Sequence, residues 1–285
     1  MNTPTIPIEP KHRLQAHFGF AGLPFRKNIQ AHKMFDSSSQ RELRHGLHLW
    51  LEVRGLGLVT GPSGVGKSIS LRRFVSELPT DRFAVHRLGQ IPTTPSGFLR
   101  ALARALGLRP RLHVSDMFDD IRGFLARHED EQGTHPVLLL DDAEGMRSGT
   151  LDLVRRLTAH ELDGTEHVSI LLAGTERLLD ALRDPTLTPL HTRFGYAHQL
   201  RSFGVEDARN YVQFHVTSAG GPERLFHDGA VTALFQASEG IPRRINQLAL
   251  QAMIDAVVQG RDEVDANVVR RMLQTHPLYK SPKPA

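Results

Sequence analysis

The chain holds 285 residues, 40% of them hydrophobic, with 35 Lys and Arg against 31 Asp and Glu for a formal net charge of +4. That length accommodates a core domain and a smaller companion, the small positive excess is compatible with nucleic acid binding without requiring it, and the lack of cysteine rules out disulfides and thiolate metal sites. No apolar run nears the roughly 18 residues of a membrane helix, and residues 1–15 lack the apolar centre of a signal peptide, so a cytoplasmic protein without a membrane partner is expected.

Residues 1–17, rich in Pro and polar groups, read as a flexible arm whose Lys11, His12 and Arg13 could touch phosphate. A short apolar, turn-forming segment follows at 18–25. Ser39 with Glu42 makes a capping box, and Leu43, Leu47, Trp50 and Leu51 are spaced as one face of a helix. The apolar run 56–59 then leads into Gly61-Pro62-Ser63-Gly64-Val65-Gly66-Lys67-Ser68, which fits G-x-x-x-x-G-K-[ST] as a strand, loop and helix start. In such a loop the glycines let successive N–H groups turn inward around nucleotide phosphates, and the new helix aims its positive dipole end at them. Lys67 is expected to reach the β- and γ-phosphates, and Ser68 to hold Mg²⁺.

The helix after the loop runs through Leu71 and Phe74 to about Glu77, where Pro79 and Asp81 end it. Residues 83–88 alternate like a strand. Pro95 and Ser96 open a helix with Phe98, Leu99, Leu102 and Leu106 on one stripe and Gly107 at its end. Ser115 caps another, with Met117, Phe118, Ile121 and Leu125 inward. The continuous apolar run 136–140 reads as a strand buried on both faces, and it ends in Asp141 and Asp142. A carboxylate at the carboxyl end of such a strand lies in the crevice where open α/β sheets bind ligands. Asp141 is expected to act on Mg²⁺ through its water shell, and Asp142 to orient or deprotonate an attacking water. A helix at 149–159 and a strand at 168–173, ending at Gly174 and Thr175, continue the alternation of a doubly wound parallel sheet. Beyond Leu200 only helices remain, at 205–217, 228–237, 242–258 and 265–273.

A parallel core with both motifs and a helical end resembles the AAA+ ATPases. Two finer features, Phe18-Gly19 with Pro24-Phe25 and Gly240-Ile241-Pro242-Arg243-Arg244-Ile245-Asn246, are similar to the F-G-x-x-x-x-P-F and G-x-P-R-x-I-N patterns of the ExeA-like group. That group includes the general secretion pathway A proteins and the TnsC-type transposition regulators. The resemblance implies an α/β AAA+ P-loop NTPase core over 18–200, its parallel sheet flanked by helices. A small C-terminal helical lid domain would span 201–275, with a flexible tail at 276–285. It further implies that Gly61, Pro62, Ser63, Gly64, Val65, Gly66, Lys67 and Ser68 bind ATP, that Ser68 and Asp141 serve Mg²⁺, and that Thr175 stands at the sensor-1 position. Arg243 matches the lid arginine that approaches the γ-phosphate from the same subunit, and Arg193 the arginine finger that reaches a neighbour's nucleotide. The group has Asp-Glu where this chain has Asp141-Asp142, one methylene shorter, so slow ATP hydrolysis is expected. Glu144, two residues on, could in principle substitute for Asp142, but reads more often as a helix or loop surface acid.

By that resemblance the expected function is ATP-dependent regulation of transposition: a homo-oligomeric ring or helical filament on duplex DNA that recruits a transposase, with or without a target-selection protein. Arg87, Thr93, Thr94, Arg100 and Arg147 are the candidate DNA contacts. The alternatives are a general secretion pathway A-type ATPase, whose relatives continue into a membrane helix and a wall-binding region not found in this chain, or a nucleotide-switched scaffold without DNA binding.

Overall fold

Strands Leu56–Thr60 (β1), Phe83–Leu88 (β2), His135–Leu140 (β3), Ser169–Gly174 (β4) and Phe194–Gln199 (β5) pair in parallel in the order β2-β3-β4-β1-β5. The computed structural model describes residues 10–26, 34–158 and 166–279. Its helices are Pro10–Phe18 (α1), Ser38–Val53 (α2), Lys67–Glu77 (α3), Pro95–Ala105 (α4), Val114–Gln132 (α5), Ser148–Leu157 (α6), Glu176–Leu182 (α7), Thr188–His191 (α8), Val205–Ser218 (α9), Asp228–Ser238 (α10), Pro242–Val258 (α11) and Ala266–Thr275 (α12). The chain divides into an α/β unit, Ser39–Arg201, and a helical unit made of Met1–Ser38 with Ser202–Ala285.

In the α/β unit, successive residues of the central strands point to opposite sheet faces, and both faces are covered. Leu58, Leu138, Leu140, Ile170 and Leu172 pack with Phe98, Leu102, Ile121 and Val154 on one side. Val59, Val137, Leu139, Leu171 and Ala173 pack with Leu43, Leu47, Trp50, Leu71 and Phe74 on the other. This two-sided burial is why β3 reads as an unbroken apolar run: all six of its residues are buried. Helix ends shift by a residue or two from expectation. Ser39 and Ser115 sit inside α2 and α5 rather than at their caps, and the Ser39 hydroxyl receives the Arg201 N–H at 3.4 Å.

Strand β5 is not among the strands expected from the sequence. It is an edge strand, alternately half-buried and exposed, with Phe194, Tyr196 and His198 inward. Gly195 and Ala197 between them are small and apolar and His198 is itself polar, so no contrast of apolar and polar positions marks the period of two. At the amino end of the sheet, Arg54 grips both Glu129 oxygens at 2.7 and 2.9 Å, Glu129 approaches His135 Nδ1 at 3.2 Å, and His135 Nε2 meets the Ser169 hydroxyl at 2.9 Å. Burial holds His135 below the ordinary histidine value despite Glu129. Burial alone would raise Glu129, but the hydrogen bonds from Arg54 and His135 outweigh it and hold the carboxyl low.

The helical unit has its own core, in which Phe18, Phe20 and Phe25 are buried with Phe203, Tyr211, Leu234, Leu248, Met253 and Met272. Segment 18–25, expected to open the α/β core, therefore packs with the helical unit. The expected flexible arm at 10–17 is helical within α1, and Arg13 is exposed there. Residues 1–9, and the side chains of Lys11 and His12, lie outside the described residues. Of the tail expected to be loose, 276–279 is tied down: His276 Nδ1 accepts the N–H groups of Leu278 and Tyr279, and the Tyr279 hydroxyl donates to Gln247 at 2.7 Å. Residues 280–285 and Ala159 lie outside the described residues. Gly240, which begins the G-I-P-R-R-I-N stretch, has φ +68°, and a Cβ there would stand 2.2 Å from the Phe203 carbonyl oxygen. The Phe203 N–H in turn donates to Gly240 O at 2.9 Å, so a glycine is needed for this close backbone pairing.

Candidate functional site

Strand β1 is buried throughout and delivers the chain to Gly61 at the carboxyl edge of the sheet. Gly61 has φ +152°, and a Cβ there would lie 2.4 Å from the carbonyl oxygen of Leu200, whose own N–H donates to Thr60 at 2.8 Å. Only glycine fits between the loop and the exit of β5. Gly64 and Gly66 also take positive φ, and α3 starts directly at Lys67. The Lys67 side chain is 7% exposed, and its ammonium donates to the carbonyls of Gly61 (2.8 Å) and Pro62 (3.1 Å). A buried ammonium curled into a ring of glycine-rich backbone is an anion receptor closed on itself: phosphate oxygens can take over the donors the carbonyls now occupy. Val65 is buried beneath the loop, while Ser63 and Ser68 are exposed above it.

Strand β3 ends next to this loop, separated from β1 by β4 alone. Asp141 is half-buried, and its Oδ1 accepts the Asp142 N–H at 3.1 Å. Asp142 is exposed and left-handed, at φ 56° and ψ 40°, a conformation Asp tolerates better than most residues. The turn it makes leads into a single 3₁₀ turn, Ala143–Gly145, that swings Glu144 back toward the sheet. Glu144, expected at the surface, is half-buried, and its Oε2 accepts the Thr175 N–H at 3.3 Å. Pro62, Ser63, Glu144, Thr175, Glu176 and Arg177 together line an open cavity of about 420 Å³. The structure thus gathers the phosphate loop, the acid-bearing end of β3 and the Thr175 position into one place. Glu176 and Arg177 on the first turn of α7 had no motif to announce them.

Arg193 stands elsewhere. It precedes β5, whose first residue Phe194 pairs with Leu56 at the start of β1, so it lies at the sheet edge opposite the loop. Five residues of strand at about 3.3 Å each separate the two edges, about 17 Å, beyond the reach of its side chain. Its guanidinium donates to the Thr158 carbonyl at the end of α6, at 3.0 Å. Arg243 is the second residue of α11 in the helical unit. Among the candidate DNA contacts, Thr94 caps α4 by accepting the Gly97 N–H at 3.2 Å, and the Thr93 carbonyl accepts from the Thr150 hydroxyl of α6 at 3.3 Å. Thr93, Thr94 and Arg147 are exposed near this bond, Arg87 is exposed near the end of β2, and Arg100 is exposed on α4.

The oxygens within reach of the loop, the Ser68 hydroxyl and the Asp141 carboxylate, are hard donors of the kind Mg²⁺ takes one or two of, filling its other positions with phosphate and water. Among the described residues no group of three or more His, Asp or Glu gathers as a metal site. The donor set therefore fits a magnesium held mainly by a nucleotide.

Residues 51–182 match the AAA domain family. The chain is 28% identical over 250 residues to the general secretion pathway protein A of Aeromonas hydrophila, covering 87% of this chain but 45% of that protein. Among solved structures, the ORC2 protein of Aeropyrum pernix in ADPNP-ADP complexes superposes with a TM-score of 0.65 at 14% identity, over 91% of this chain and 72% of that one. Cdc6p of Pyrobaculum aerophilum gives 0.63 at 18% identity, over 91% and 70%. The RuvB branch migration motor of Thermotoga maritima gives 0.52 at 16%, over 88% and 72%. With a five-stranded parallel sheet covered by helices on both faces and a helical unit beside it in sequence, this protein has the AAA+ P-loop NTPase fold, and its residues 51–182 match the AAA domain family.

Proposed function

We propose that this chain is a magnesium-dependent ATPase of the general secretion pathway A type, in which the state of the nucleotide governs association with further copies of the chain. The observation that carries the reading is the buried ammonium of Lys67 inside a glycine-rich loop that faces Glu144 and Thr175 across one cavity. The loop N–H groups and the start of α3 receive the phosphates, and Lys67 exchanges its two carbonyl partners for phosphate oxygens. Ser68 and Asp141 would hold Mg²⁺, which when bound neutralises charge on the β- and γ-phosphates. Thr175 lies beside the γ-phosphate position, Arg243 is the candidate lid arginine of the helical unit, and Arg193 completes the pocket of an adjoining subunit. A head-to-tail contact of this kind makes assembly depend on ATP and closes into a ring or runs on as a filament.

The secretion-pathway relative favours this reading over transposition, although the chain spans less than half of that relative's length. No helix among the described residues is long and apolar enough to cross a membrane. A DNA-dependent role, with or without a transposase partner, remains the second reading. It is favoured by the exposed Thr93, Thr94 and Arg147, which lie beside the bond from the Thr150 hydroxyl of α6 to the Thr93 carbonyl. The test compares parent and Lys67→Ala for binding of a fluorescent ATP analogue with Mg²⁺ and for light scattering with ATP or ADP. Affinity at least about tenfold weaker in the variant, with ATP-dependent scattering lost, is expected. A Lys67→Ala protein that binds and assembles like its parent overturns the reading. Retention of duplex DNA at low salt only with ATP would promote the second one.

A further inference from the structure

The group that activates the attacking water is assigned by sequence to Asp142, yet the geometry points to Glu144. This assignment rests on the ATPase reading above. Asp142 has a short side chain, is exposed, and is the residue at which the backbone reverses into the left-handed region. It does not line the cavity beside the phosphate loop. Glu144 does, together with Pro62 and Ser63 of the loop and Thr175 at the end of β4. The reversal at Asp142 and the 3₁₀ turn after it carry the longer carboxylate back over the sheet edge, two residues later than the acid pair suggests.

Two features hold the carboxylate there. The Thr175 N–H donates to Oε2 at 3.3 Å, and Gly174 leaves the space it needs: a Cβ at Gly174 would lie 3.0 Å from Oε2. Oε1 has no partner among the described residues and stays available for a water. In the reaction Oε1 accepts a proton from that water as the water oxygen bonds to the γ-phosphorus. The bond from the γ-phosphorus to the β–γ bridging oxygen breaks with its electron pair, leaving ADP. Glu144 then releases the proton to solvent. Thr175 on this view is a positioning residue acting through its backbone, which explains why its side chain need not touch the carboxylate.

The test uses the full chain with Glu144→Gln, Asp142→Asn and Gly174→Ala. Glutamine keeps an oxygen for the Thr175 N–H but cannot take a proton, so folding and nucleotide affinity should survive. Glu144→Gln is expected to bind the fluorescent ATP analogue within about twofold of the parent, to turn over at least about 100-fold more slowly, and to retain ATP rather than ADP after desalting. Asp142→Asn is expected to lose less than about tenfold in turnover and to retain ADP. Gly174→Ala, whose Cβ would crowd Leu178 at 2.9 Å as well as the carboxylate at 3.0 Å, should lower turnover with affinity unchanged. The proposal is overturned if Asp142→Asn traps ATP while Glu144→Gln hydrolyses at close to the parental rate. A parent that binds no nucleotide strikes the ATPase reading itself, an outcome distinct from parental binding with an unimportant Glu144.

Discussion

Acid should loosen the helical unit through His215, and the structure sets the size of the effect. His215 on α9 is 5% exposed, with its ring 4.5 Å from Tyr211, 5.1 Å from Phe25 and 5.6 Å from Phe214. Burial pushes its pKa down to about 4, against an ordinary value near 6.5. Below about pH 6.5 the unfolded chain binds a proton that the folded unit refuses, so stability is whole above that pH and falls progressively toward pH 4. A gap of about two and a half pH units at about 1.36 kcal/mol each amounts to about 3 kcal/mol, a large share of the 5–15 kcal/mol typical of a folded protein. The same ring packs at a tilt against Phe25 of the F-G-x-x-x-x-P-F segment, so its protonation also weakens the seat of that segment in the helical core. The assay is urea unfolding followed by far-ultraviolet circular dichroism between pH 7.5 and 4.5, in the parent and in His215→Leu. Fluorescence of Trp50, the single tryptophan and 2% exposed in the α/β unit, follows that unit separately. Leucine, apolar and of similar bulk, should cost less than about 1.5 kcal/mol at pH 7.5 and flatten the pH dependence of the helical transition. The reasoning fails if the variant keeps the parental slope, or if the His215 ring resonance titrates near its ordinary value by NMR.

Gly61→Ala places a Cβ against the Leu200 carbonyl, which belongs to backbone and cannot rotate away, so the loop must shift. Nucleotide affinity should fall at least about tenfold while Trp50 fluorescence stays native, and parental affinity would show that the loop tolerates the shift. Arg193→Ala removes the bond to the Thr158 carbonyl, worth about 1 kcal/mol in urea unfolding. As an arginine finger it should also abolish the rise of specific ATPase activity with protein concentration while leaving nucleotide affinity intact; a variant whose activity still rises with concentration would reduce Arg193 to a structural cap.

Local pattern carried much of this protein. The stripe Leu43, Leu47, Trp50 and Leu51 marks a helix because residues three and four apart share a face whatever the rest of the chain does, and those four are buried. The run into Asp141 marks a central strand because burial on both faces demands apolar side chains at every position. The phosphate loop is legible for a similar reason: its glycines, lysine and hydroxyl lie within eight consecutive residues.

Other features depend on contacts between residues far apart, which no short window records. Edge strand β5 is defined by its register with β1, more than 130 residues earlier in the chain. The three phenylalanines of segment 18–25 found their partners near the opposite terminus, and the Gly240 requirement became clear only with the Phe203 backbone against it. The sequence by itself thus determined the amphipathic helices flanking the sheet and those beyond Leu200, the central strands and the presence of a phosphate loop, because these follow from periodicity and local backbone chemistry, whereas α1, α7 and α8 escaped it. Tertiary structure alone decided which acid faces that loop, since one left-handed residue at Asp142 turned Asp142 outward and brought Glu144 in, and a side chain's direction after a turn depends on the surfaces that receive it.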